Sequence, residues 1–165
     1  MNVAAVDWQW CNGERGTRVI NTLDSGGDVG RDTSIAIGAD GLGLISYHDY
    51  TNYDLKVAHC ANTACTSAII NTLDSGGDVG WHTSIAISAD DLGLISYFDI
   101  TNSSLNVAHC ANTVYTRATT TTLDREGDVG YSTSIVTGAD GLGLISYLDF
   151  TNSSLRVAHL GIGVP

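Results

Sequence analysis

The sequence predicts an all-β molecule built of repeated four-stranded antiparallel sheets, and three observations predict it. The chain repeats itself every 50 residues: TLDSGGDVG starts at Thr22 and Thr72, TLDREGDVG at Thr122, and LGLISY at Leu42, Leu92 and Leu142. About 35 of 50 positions agree between the first two copies, the mark of a tandem array. Short runs rich in Val, Ile, Thr and Tyr alternate with clusters of Gly, Asp, Asn and Ser, which is strand and turn chemistry. No segment carries apolar residues at a sustained helical period with capping residues, so essentially no helix is expected.

Within the first copy the elements read in order. SIAIG from Ser34 is a strand whose isoleucines face one way and whose small residues face the other. Ala39-Asp40-Gly41 is a tight hairpin signal, because Asp and Gly tolerate positive φ. LISYH from Leu44 is the second strand, and Asp49-Tyr50-Thr51-Asn52 the turn that ends it. LKVAHC from Leu55 is the third and SAIINTL from Ser67 the fourth, which returns to the next copy through the Gly-rich DSGGDVG. Both faces of these strands are apolar or small, so each sheet is expected to be covered on both sides. The third copy ends after its VAH segment, while TRVINTLD (17–24) matches SAIINTLD (67–74). The chain therefore divides into a partial repeat supplying a closing strand (1–21), two full repeats (22–71 and 72–121) and a truncated third (122–165).

Stacked four-stranded meanders of this length are the blades of a β-propeller. The run TSIAIGADGLGLISYHDYTNYDLKVAHCANTACT resembles the tandem repeat of bacterial secreted or cell-surface proteins of the β-propeller class. The resemblance runs from Thr22 onward, fits the first 16 residues poorly, and implies the fold rather than an activity. Propellers typically have about 4–8 blades, so three repeats need a partner, most simply a second copy giving six blades as a dimer. The alternative architecture is a monomeric β-trefoil, which also has three repeats of four strands.

Composition limits the partners. With 43 % hydrophobic residues in 165 the chain can bury a core. Eighteen acids against seven bases give a net charge of −11, which excludes nucleic acid and an anionic membrane, since no basic surface exists to meet phosphate. No apolar run approaches the roughly 20 residues of a spanning helix, and MNVAAVDWQW lacks the apolar stretch of a signal peptide.

Cys60 and Cys65 flank the connection between the third and fourth strands and are read as a disulfide, which points to a secreted or cell-surface setting. Cys110 has Tyr115 where Cys65 would pair with it, and its relation to Cys11 stays open. Twelve of the 18 acids fill four positions that recur once per repeat. Asp at a turn bonds backbone amides, so calcium in D-S-G-G-D is the minor reading and no cofactor is expected. His59, His109 and His159 are read as half-buried strand residues. No asymmetric catalytic set is visible, so a sialidase-like or lactonase-like hydrolase is the least favoured function.

The informative positions are those where the copies differ. Arg31, Trp81 and Tyr131 follow DVG, beside Asp28, Asp78 and Asp128; His48, Phe98 and Leu148 follow ISY, and Tyr50, Ile100 and Phe150 come two residues later. Aromatic rings beside carboxylates and imidazoles suit a sugar, whose apolar face stacks while its hydroxyls are bonded. Arg31, Trp81, Tyr131, Asp28, Asp78, Asp128 and His48 are therefore the candidate ligand-binding residues of a lectin-like or adhesion module, and a protein ligand is the alternative partner. The rival function is a structural or protein-interaction scaffold, a stretch of a longer array.

Overall fold

The computed structural model describes residues 19–161, together with the backbone of two short strands, β1 (Trp8–Gln9) and β2 (Arg15–Gly16), which pair antiparallel. The chain then folds into three antiparallel sheets, with no helix among the described residues. Sheet 1 holds β3 (Val29–Ile37), β4 (Gly43–Asp49), β5 (Asp54–Cys60) and β6 (Ala68–Asp74) in sequence order. Sheet 2 repeats that order with β7 (Val79–Ile87), β8 (Gly93–Asp99), β9 (Ser104–Cys110) and β10 (Ala118–Asp124). Sheet 3 has three strands, β11 (Val129–Thr137), β12 (Gly143–Asp149) and β13 (Ser154–His159). Each repeat keeps its strands in one sheet. The single barrel that a trefoil would require is not formed among the described residues, and the row of sheets does not close on itself.

The segment expected to supply a closing strand is described from Val19 onward, and Val19–Asp24 forms no strand. A repeat cut at Thr22 begins in the strand position of the preceding sheet, so the sheets themselves run 29–74, 79–124 and 129–159. The first strand also begins earlier than its apolar run: β3 reaches back to Val29, where DVGRD reads as loop. Two register shifts, between Val29 and Arg31 and between Arg31 and Ser34, bulge the strand there. Asp32, His82 and Ser132 all carry positive φ at this bulge, which turns the residue after DVG outward at the rim.

The sheets pack face to face, and the core lies in the two junctions between them. Leu44, Leu55 and Val57 of sheet 1 meet Val79, Ile85, Ile95 and Tyr97 of sheet 2. Leu94, Leu105 and Val107 of sheet 2 meet Val129, Ile135, Ile145 and Tyr147 of sheet 3 in the same way. Burying these side chains is what stabilises the stack, at roughly 1.5–3 kcal/mol for each large one. The inner strands are also tied by hydroxyls: Ser46 Oγ lies 2.8 Å from Thr83 Oγ1, and Ile85 N donates to Ser34 Oγ at 3.1 Å. Fifty residues on, Ser96 with Thr133 and Ile135 with Ser84 repeat the pattern at 2.7 and 3.1 Å.

Candidate functional site

Three of the four recurring aspartates serve the scaffold. Asp49, fully buried, accepts from Thr51 N and Asn52 N at 3.0 Å and from Asn52 Nδ2 at 2.9 Å, closing the β4–β5 turn. Asp40 accepts from Leu42 N at 3.0 Å and pairs with His59 Nε2 at 2.8 Å. His109 and His159 make the same pair with Asp90 and Asp140, at 2.9 and 2.8 Å, so the recurring histidine is a strand-end brace on its hairpin turn. Asp24 accepts from Tyr47 OH at 2.7 Å and Lys56 Nζ at 2.8 Å, and the ammonium holds its carboxyl at about 2. Asp28 turns instead to Arg31, at 2.6 and 3.2 Å, so the carboxylates of D-S-G-G-D do not converge on a common point.

The fourth aspartate and the variable residues come together at the strand ends that carry the Asp49 turn, opposite the Asp40–His59 brace. In sheet 2 Trp81 Nε1 donates to Asp78 Oδ1 at 2.6 Å; in sheet 3 Tyr131 OH donates to Asp128 Oδ2 at 3.1 Å. The bulge aims each of these rings across the junction at the preceding sheet. Trp81 lies over His48, with ring centroids 4.5 Å apart, and meets Tyr50 edge-on at 5.9 Å. Tyr131 lies over Phe98 at 4.2 Å and reaches Phe150 at 5.4 Å. His82 joins the two clusters, 6.5 Å from Trp81 and 5.6 Å from Tyr131, and Arg31 caps the row 3.8 Å above the Tyr50 ring. A continuous aromatic stripe therefore crosses all three sheets along one rim.

All seven candidate ligand residues lie on this rim, but in separate groups: Arg31 with Asp28; Trp81 with Asp78 and His48; Tyr131 with Asp128. The second group has an unusual member. His48 is fully buried and neither ring nitrogen has a hydrogen-bond partner; the Asp78 carboxylate lies beside it, with Oδ1 3.5 Å from Nε2. Burial holds the imidazole below its ordinary pKa, opposed by Asp78, Asp32 and Asp49 and reinforced by Arg31. Asp128 Oδ1 is likewise buried without a partner. Burial, then the bond to Asp128, pushes the Tyr131 phenol up. Sequence reasoning noted His82 among the positions that vary after DVG but left it out of the candidate set, and it missed the bulge, for which the Gly of DVG was the signal.

The other rim differs between junctions. Tyr115, from the β9–β10 connection, is buried against His59, with centroids 4.8 Å apart, and plugs the junction of sheets 1 and 2. Between sheets 2 and 3 the described residues Ser88, His109 and Leu123 border a groove of about 420 Å³ at the matching place. Cys60 and Cys65 are joined as a disulfide, with Cα atoms 4.9 Å apart. Cys110 is buried as a free thiol, pushed up to about 12 by that burial, and Cys11 lies outside the described residues. Among the described residues no group of three or more metal-ligating side chains is assembled.

No family model matches this chain, and no curated protein does. Among solved structures it is similar to a fucose lectin from Kordia zhangzhouensis in complex with methyl-fucoside. That likeness has 6 % identity and a TM-score of 0.47, and covers 78 % of this chain and 91 % of that one.

Proposed function

We propose that the chain is a non-catalytic carbohydrate-binding module whose principal site is the cleft formed by Trp81, Tyr50, Asp78 and His48. Its setting is a secreted or cell-surface β-propeller of six blades, two copies making one ring. The observation that carries the reading is His48. Its counterparts are Phe98 and Leu148, so packing does not call for an imidazole there. A buried polar group without partners costs about 1–3 kcal/mol, and His48 sits beside the one carboxylate that Trp81 already orients.

A pyranose stacked on the partly open Trp81 indole brings hydroxyls to Asp78 and, once Tyr50 rotates aside, to the imidazole behind it. Neutral imidazole accepts at one nitrogen and donates at the other, which suits a hydroxyl. The Tyr131–Phe98–Asp128 cleft offers the stack and one carboxylate without the imidazole, so it is the weaker of the two. Sites repeated on one rigid ring gain strength by avidity. The disulfide at Cys60–Cys65 fits an oxidising compartment.

The second reading, an interaction scaffold, is favoured by the apolar end faces of the stack. A glycan array separates the two. Binding by the wild type that disappears in Trp81→Ala, with the far-UV spectrum unchanged, is the expected result. Silence of the folded wild type across neutral and acidic glycans would give the scaffold reading the field.

A further inference from the structure

The two ends of the stack carry the same side chains as its buried junctions. Leu55 and Leu105 are 0 % exposed inside the junctions, whereas their counterpart Leu155 is 78 % exposed. Val157 and Val136 stand out beside it on the sheet 3 face, at 59 % and 57 %. At the other end Ile35 is 64 % exposed where Ile85 and Ile135 are 6 % and 4 %. Here Leu23, Val29, Ile45, Tyr47 and Ala58 line a groove of about 370 Å³. Their counterparts Leu73, Val79, Ile95, Tyr97 and Ala108 are the residues that close over Leu44, Leu55 and Val57 in the first junction.

The backbone shows the same gap. A Cβ added to Gly80 or Gly130 would fall 2.8 or 2.9 Å from the Cα of Leu55 or Leu105, whereas one added to Gly30 meets nothing within 4 Å. Among the described residues, no strand fills the space that Leu55 and Leu105 occupy in the junctions.

The segment before sheet 1 is already in place for a strand it lacks. Asn21 Nδ2 donates to Cys65 O at 3.3 Å, as Asn71 of β6 donates to Val114 O at 3.3 Å. Tyr47 bonds Asp24 at 2.7 Å as Tyr97 bonds Asp74 at 2.6 Å. Sheet 1 thus holds residues 21–24 as sheet 2 holds the end of β6, but Val19–Asp24 has no β5 beside it, and β13 has no fourth strand beside it among the described residues. Sheet 2 stands between these two half-finished edges, so a single chain does not join them.

We infer that a second copy of this chain seats its sheet 3 face on the sheet 1 groove, and takes Val19–Asp24 of the first as the fourth strand of its own sheet 3. The contact is heterologous, end on opposite end, and two such contacts related by a two-fold axis close six sheets into a ring. The hydroxyl ties extend across it, Ser146 of one copy meeting Thr33 of the other as Ser46 meets Thr83. This rests on the ring proposed above and adds to it a third cleft that no single chain holds: Arg31 and Asp28 of one copy over Leu148 and Phe150 of the other.

In sheet 1 Ala58 is the register partner of Ile70; transferred by the repeat, Ala158 of one copy faces Ile20 of the other. Sedimentation of the wild type at micromolar concentration should give twice the chain mass of 17.3 kDa. Leu155→Glu and Ile35→Glu, both at exposed positions that leave the chain folded by far-UV spectrum, should each sediment at the single-chain mass. Their mixture should regain pairs, because one intact end of each kind remains. Oxidation of Ile20→Cys/Ala158→Cys in a Cys11→Ser background should yield a covalent pair. A monomeric wild type, or pairing that survives Leu155→Glu, overturns the inference; pairs that do not cross-link overturn the strand exchange. Sugar binding at the Trp81 cleft lies within one chain, so it persists in the Leu155→Glu monomer if the functional reading is right, and the two failures are told apart.

Discussion

The junction of sheets 1 and 2 and that of sheets 2 and 3 are packed by the same residue types, Leu44, Leu55 and Val57 matching Leu94, Leu105 and Val107. They finish differently at both rims. On the aromatic rim the first junction puts His48 under Trp81 and the second puts Phe98 under Tyr131. On the opposite rim the first is plugged by Tyr115, whereas the described residues of the second border a groove. The apolar middle is the part that must repeat for sheets to stack. The rims are free to differ, and the first junction keeps an imidazole without hydrogen bonds where the second packs a phenyl ring, the difference on which the proposed recognition at that cleft rests.

Substitutions in the shared middle should have the largest effects and treat the junctions alike. Leu55→Ala and Leu105→Ala, at two fully buried positions, are each expected to cost about 2–5 kcal/mol by urea denaturation. A cost confined to one of them would break the equivalence of the junctions.

His48→Phe converts the first cleft to the second. It should stabilise the fold by roughly 1–3 kcal/mol, because it removes a buried group with no hydrogen bond. The same variant should lose the sugar affinity of the Trp81 cleft. Stabilisation with binding intact would remove His48 from the site.

A smaller effect appears with pH. Burial lowers the folded-state pKa of His48, so the unfolded chain takes up a proton first, below its ordinary value of about 6.5. Wild-type stability should be complete above that pH and decline as pH falls from it toward the lower folded-state value. A parallel decline in His48→Phe would place the titration elsewhere. The smallest effect lies at acid pH: Asp24 contributes stability above its ordinary 3.8 that is lost as pH falls through about 2. Lys56→Met should flatten that limb of the acid-denaturation curve.

Much of this architecture was legible because the repeat writes each strand three times. Leu44, Leu55 and Ile85 carry period-two apolar alternation, and Asp40 and Asp49 announce the turns they bond. The bulge at Arg31, Trp81 and Tyr131 was not legible, because the Gly-rich DSGGDVG and DREGDVG read as loop until β-pairing continues past them. Arg31, Trp81, Tyr131 and His48 were chosen where the copies differ and Asp28, Asp78 and Asp128 as their recurring neighbours, but the partition into a His48–Trp81 cleft and a Phe98–Tyr131 cleft was not legible. It depends on each ring crossing to the preceding sheet, a contact between residues 33 positions apart that no local pattern encodes. The brace between His59 and Asp40 was hidden for the same reason, since only strand register brings position 59 to the β3–β4 turn.

The most direct test of the sugar-binding account is the indole N–H of Trp81 in a ¹⁵N-labelled sample, its signal assigned by its loss in Trp81→Phe. Titration with a glycan that binds on the array should move this signal saturably, with the same midpoint as binding measured by calorimetry. Saturable binding that leaves the Trp81 signal where it stands would contradict the account.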